Sequence, residues 1–117
     1  MNEILKKIGD LGLVPVVKID NAADAEPLGK ALIEGGLPLA EITFRTAAAA
    51  EAISNISKAF PEMLVGAGTV LNVDQAKSAV NAGAKFLVSP GFNPDVVEYC
   101  AKKGIPITPG CSNPTDI

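Results

Sequence analysis

The stretch Leu39-Ala40-Glu41-Ile42-Thr43-Phe44-Arg45-Thr46 decides how the chain is read. It is apolar enough for a buried strand, yet an acid and a base project from its C-terminal half. Burying two charges is costly unless they are paired or put to use. In barrels of alternating strands and helices the reactive groups gather at the C-terminal ends of the strands. The place of Glu41 and Arg45 is therefore a functional hint. Four residues apart on a strand, the two would share a face, so a structural ion pair stands as the alternative to a reactive pair.

Outward from this stretch the pattern repeats. Apolar runs at Leu13 to Val17, Leu37 to Phe44, Met63 to Val70, Lys85 to Ser89 and Ile105 to Pro109 recur roughly every 20 to 25 residues. The segments between them carry helical spacing and helix-start chemistry, the rhythm of βα units rather than of hairpins. The first predicted helix starts after Asp20 or Asn21, presents Ala25, Leu28 and Leu32 and ends at Gly35-Gly36; its Pro27 must fall near the first turn or bend it. Thr46 is the expected N-cap of the second, whose buried face is Ala49, Ile53, Ile56 and Phe60 and which stops before Pro61. Asn72 with Gln75 opens the third and Gly83 closes it. Asn93-Pro94 opens the fourth and Gly104 closes it.

A further start signal, Ser112-Asn113-Pro114-Thr115-Asp116, comes just before Ile117. A parallel sheet of five strands leaves two unpaired edges, and strands this apolar need cover on both faces. The expected architecture is α/β: an incomplete (β/α)8 barrel of the TIM kind, about five parallel βα units in a single domain over residues 1–117. On that reading Val16, Ile42 and Val88 face an interior that lacks its opposing layer.

Composition narrows the partners. The 117 residues carry a net charge of -3 with Lys and Arg scattered, which argues against a nucleic-acid or anionic-membrane surface. Small molecules and other subunits are the expected partners. With no His and only Cys100 and Cys111, a zinc site is not expected, a disulfide is not demanded, and both cysteines read as ordinary thiols. No apolar run approaches the roughly 18 residues of a membrane span, and the expected location is the cytoplasm.

Candidate ligand-facing turns follow the later strands: Gly66-Ala67-Gly68-Thr69, Ser89-Pro90-Gly91 and Pro109-Gly110-Cys111-Ser112. Glycines there let backbone approach a ligand, and the Thr69 hydroxyl can donate to a carboxylate or phosphate oxygen. Taken singly each is more often a plain turn; Gly66-x-Gly68 lacks the third glycine of a dinucleotide fingerprint.

In combination they are specific. Glu41-Ile42-Thr43-Phe44-Arg45-Thr46, Val65-Gly66-Ala67-Gly68-Thr69-Val70, Val88-Ser89-Pro90-Gly91 and Pro109-Gly110, in this order, closely resemble the 2-keto-3-deoxy-6-phosphogluconate (KDPG) aldolase family, which also handles 4-hydroxy-2-oxoglutarate. The resemblance runs from about Leu13 to the last residue. It implies a class I aldolase, an aldehyde-lyase cleaving KDPG to pyruvate and glyceraldehyde 3-phosphate on a (β/α)8 barrel. The family is usually homotrimeric and needs no metal or other cofactor. By the same resemblance Glu41 is the catalytic acid/base, Arg45 and Thr69 bind the pyruvate carboxylate, and Pro90 lines the pyruvate pocket.

Two family elements have no counterpart here. The family's Schiff-base lysine lies on the sixth strand in a Phe-Lys-Phe-Phe-Pro-like motif, and its phosphate turns follow strands seven and eight. Lys18, at the rim after the first strand, takes no imine role from the resemblance, and Lys85 starts the fourth strand at the opposite, structural end. The 117 residues alone are thus expected to be inactive. A non-catalytic half-barrel that assembles with itself or with a complementary C-terminal fragment is the alternative. Another phosphate-handling barrel enzyme is a weaker third reading, since no phosphate turn is in sight.

Overall fold

The computed structural model describes residues 2–117. Five strands, β1 (Val16–Val17), β2 (Leu39–Thr43), β3 (Leu64–Gly68), β4 (Leu87–Ser89) and β5 (Ile107–Pro109), form one parallel sheet in chain order, with β1 and β5 at its edges. Helices α2 (Ala25–Glu34), α3 (Ala49–Ala59), α4 (Val73–Ala82) and α5 (Pro94–Lys103) connect them, so the α/β reading and its five parallel units hold. One element was not anticipated: α1, Glu3–Leu11, precedes β1.

Local chemistry sets the helix ends. Asn72 Oδ1 accepts from Gln75 N–H at 2.8 Å, while Gln75 Oε1 reaches past the cap to accept from Leu71 N–H, also at 2.8 Å. Asn93 accepts from Asp95 N–H, Pro94 fills the first position of α5, and Gly104 closes the helix in the left-handed region at φ 68°. Asn21 caps a short 3₁₀ turn, Ala22–Asp24, that leads into α2 and leaves Pro27 in the first helical turn. Thr46 does not cap α3. The cap position is Ala48, without a side-chain bond, and the Thr46 hydroxyl instead donates across to the Ile19 carbonyl, which fastens the chain after β1 to the loop after β2.

The strand period of two divides the apolar residues between two cores. Ala40, Ile42, Val65, Ala67 and Leu87 pack under the helices with Ala25, Ile53, Ile56, Ala79, Val96 and Cys100. Leu39, Leu64 and Phe86 face the other way and are covered by Ile4, Ile8 and Leu11 of α1. Ile42 therefore does not face the barrel interior as expected; it lies fully buried beneath the helices, because its neighbour Glu41 takes the interior side. Val16, which pairs in register with Glu41, is 59% exposed, and Val88 borders the interior.

Candidate active site

Glu41 occupies the middle of β2, in register with Val16 on β1 and Gly66 on β3. It is only 7% exposed, and it borders a cavity of about 260 Å³ whose other walls include Leu5 and Ile8 of α1, Val14, Phe86, Val88 and Thr108. Desolvation in this apolar surrounding holds the Glu41 carboxyl above the ordinary glutamate range. A carboxyl so placed can exchange a proton near neutral pH more readily than an exposed one.

The carboxylate leans across the sheet. Its register partner is Gly66, but its tip lies against Gly68, two residues nearer the C-terminal rim: a Cβ built on Gly68 would stand 2.7 Å from Glu41 Cδ. Gly66 is tight for another reason, since a Cβ there would meet the Phe86 ring, with Cε1 at 2.5 Å. The two glycines that read as turn residues are thus strand residues, the first making room for the core and the second for the acid.

Arg45 lies in the turn past the end of β2 and is exposed, so the same-face geometry expected of a continuous strand does not arise. Among the described residues no ion pair joins it to Glu41. Its Nε instead donates to Thr43 Oγ1 at 3.0 Å, and Thr43 Oγ1 donates in turn to the Val17 carbonyl at 3.2 Å. Thr69 follows β3 on the adjacent strand and sits at φ 56°, the one non-glycine residue with positive φ among those described. A β-branched residue pays for that conformation in strain, which clusters at functional sites.

Pro90 stands further round the same rim. The Ser89 carbonyl accepts from Gly110 N–H at 2.8 Å and the Ser89 hydroxyl donates to the Gly91 carbonyl at 2.9 Å, so the turns after β4 and β5 are locked together. Pro90 borders a groove with Val70, Leu71, Phe92 and Asn93 rather than the cavity that Glu41 enters. Thr43, Arg45 and Thr69 thus share the adjoining C-terminal ends of β2 and β3, Glu41 leans toward them from the middle of β2, and Pro90 lies two strands from β2.

The lysines are placed as their strand positions suggest. Lys18 is exposed and pairs with Asp20 at 3.1 Å, and Lys85 donates to the Pro61 carbonyl at the opposite end of the sheet. Cys100 is buried, its thiol pushed up by desolvation, and Cys111 is exposed on the rim; both are free. No helix among the described residues is long and apolar enough to cross a membrane. Sequence reading passed over Thr43, although a hydroxyl between two charged residues in an otherwise apolar strand was visible there.

Comparison with known proteins agrees with this fold. A 2-dehydro-3-deoxy-phosphogluconate aldolase of Treponema pallidum (strain Nichols) is 49% identical over 117 residues, all of this chain and 56% of the relative. The crystal structure of the 2-keto-3-deoxy-6-phosphogluconate aldolase of Zymomonas mobilis ZM4 with 3-phosphoglycerate superposes with a TM-score of 0.90 at 39% identity, covering 100% of this chain and 56% of that one. A Legionella pneumophila KDPG aldolase, with pyruvate captured as a covalent carbinolamine intermediate, superposes with a TM-score of 0.83 at 38% identity, covering 88% and 50%. The chain spans about half the length of the curated relatives it matches. The family model for KDPG and KHG aldolase matches residues 2–117, and the chain belongs to that family.

Proposed function

We propose that these residues supply the acid/base and keto-acid-binding half of a class I aldolase that cleaves KDPG to pyruvate and glyceraldehyde 3-phosphate, with 4-hydroxy-2-oxoglutarate as a second substrate. The observation that carries the reading is Glu41: a buried carboxyl of raised proton affinity, two residues before the end of its strand and four residues before the chain's single arginine. In such a cleavage a protonated imine draws electrons from the breaking carbon–carbon bond while a base removes the hydroxyl proton. Glu41 is that base, and it returns the proton to the enamine carbon. Arg45 and Thr69 hold the pyruvate carboxylate, for which a guanidinium fork is well shaped, and Pro90, whose groove is separate from the cavity that Glu41 borders, is assigned to the keto-acid pocket by the family resemblance alone.

The imine-forming lysine belongs to a strand beyond these five, so the 117 residues alone are inactive. Lys18 is engaged with Asp20 and Lys85 lies at the wrong end of the sheet, which supports this division of labour. We assign the chain to a single domain of a cytoplasmic homo-oligomer, trimeric as the family resemblance implies, using neither metal nor other cofactor. The unpaired edges of β1 and β5 favour a second reading, a non-catalytic half-barrel that assembles with itself or with a complementary C-terminal fragment.

Borohydride trapping with pyruvate tests the assignment. The 117-residue chain should gain no adduct mass. A chimaera in which residues 1–117 replace the matching stretch of the Treponema pallidum relative should gain one. In that chimaera Glu41→Gln should lower turnover by roughly 10²- to 10⁴-fold while trapping persists. An adduct on Lys18, or full turnover in the Gln variant, would sink the assignment.

A further inference from the structure

We propose that Thr43 is the positioning residue that sets the guanidinium of Arg45 for its ligand. Thr43 ends β2, is 1% exposed, and lies between Glu41 and Arg45 in sequence. A threonine hydroxyl has one proton and two lone pairs. The Val17 carbonyl, 3.2 Å away, can only accept, and Arg45 Nε, 3.0 Å away, can only donate. The direction of both bonds is therefore fixed by the chemistry of the partners: the proton goes to β1 and a lone pair faces the arginine.

The consequence lies in what remains free on Arg45. With Nε engaged, the terminal Nη1 and Nη2 edge is presented for an end-on contact with a carboxylate. The bond to Val17 alone would satisfy a buried hydroxyl. The second bond spends a lone pair on a side chain that is otherwise exposed, and it removes rotamer freedom that a long cation would lose on binding. Preorganisation of this kind lowers the cost of capturing the ligand without touching it.

The inference rests on reading Arg45 as the carboxylate holder, and the test separates the two. Arg45 is the only arginine in the chain, so the 117-residue protein gives one arginine Nε–H resonance without assignment ambiguity. Thr43→Val, which keeps the shape and removes the hydroxyl, should speed hydrogen exchange of that group at least about tenfold, whereas Thr43→Ser should stay close to the parent. In the chimaera Thr43→Val should raise KM for the keto acid about tenfold with kcat changed less than about twofold, and Thr43→Ser should restore it. A valine variant indistinguishable from the serine variant in both readouts, or a fall in kcat at constant KM, overturns the role of Thr43. An unchanged KM in Arg45→Lys overturns the carboxylate reading and the inference with it; a raised KM there beside an unchanged one in Thr43→Val overturns the inference alone. Should the valine chimaera not fold, the exchange rate in the 117-residue chain decides.

Discussion

The carboxylate of Glu41 fills the space that a side chain at position 68 would need, across one strand boundary and two residues above its register partner. The acid is held where it is by the absence of an atom on its neighbour. That makes Gly68 part of the acid's placement, and it distinguishes Gly68 from Gly66, whose missing side chain admits the Phe86 ring.

Gly68→Ala and Gly66→Ala should accordingly fail in different ways. At 68 the methyl meets the far end of a flexible side chain that can swing into the interior cavity, so stability should change by less than about 1 kcal/mol. Turnover in the chimaera should nevertheless fall by around 10²-fold, because the acid is displaced by an ångström or more. At 66 the methyl meets a buried ring and should cost about 1–3 kcal/mol. Denaturant midpoints set beside turnover per folded molecule separate the two; equal loss of stability at both positions would refute the distinction.

Glu41 should also make the protein's stability fall as pH rises. Its carboxyl is held above the ordinary range by burial, so the folded state binds the proton more tightly than the unfolded chain. That contribution is complete below the unfolded value and is lost as pH climbs from there through the raised folded value. Glu41→Gln, which mimics the protonated form, should match the parent in acid and be the more stable protein at neutral pH. Urea midpoints of both proteins across this range check it, and a parent more stable than the variant at neutral pH would point to a stabilising partner for the carboxylate.

Thr69 sits in a backbone conformation that glycine adopts more easily. Its φ of 56° costs a β-branched side chain about 1–3 kcal/mol, and glycine adopts that conformation freely at an entropic cost of up to about 1 kcal/mol. Thr69→Gly should therefore be neutral or stabilising in thermal unfolding while weakening keto-acid binding in the chimaera. A loss of more than about 1 kcal/mol would show that the threonine side chain supports the fold.

The open sheet predicts association. Val16 is 59% exposed on the β1 edge, and Leu71 and Phe92, at 52% and 47%, stand on the rim. Sedimentation of the 117-residue chain should give a concentration-dependent distribution. A sharp monomer at all concentrations would contradict this.

Much of the architecture was legible because strand and helix periods alternate cleanly and Asn72, Asn93, Gly83 and Gly104 each play their usual part at a helix end. The first helix was not recognised, since Lys6, Lys7 and Asp10 mask its apolar residues. Asn2, Ile4, Ile8, Leu11 and Gly12 nevertheless held its cap, stripe and stop. Placing Ile42 in the interior broke the rule that neighbours on a strand face opposite ways. Thr46 looked like a cap because helix-start chemistry is local, whereas its hydroxyl is claimed by Ile19, a residue brought near only by strand pairing. Glu41 and Arg45 stood out as charges in an apolar run, although only Glu41 is buried; the backbone of Thr69 has no sequence signature, and of the relay through Thr43 only the hydroxyl is legible, because its bond to Val17 is made across strands.

Strand order follows chain order, so each strand pairs with the one made just before it. The exception is α1, whose contacts are Leu39, Leu64 and Phe86 on three later segments. Contacts so distant along the chain close slowly, and during synthesis the sheet grows from one edge while the helix has nothing to dock on. Quenched hydrogen labelling of refolding should find the α1 amides protected after those of β2 and β3, and simultaneous protection would disprove this order. On this order a helix made ahead of the sheet is placed after it.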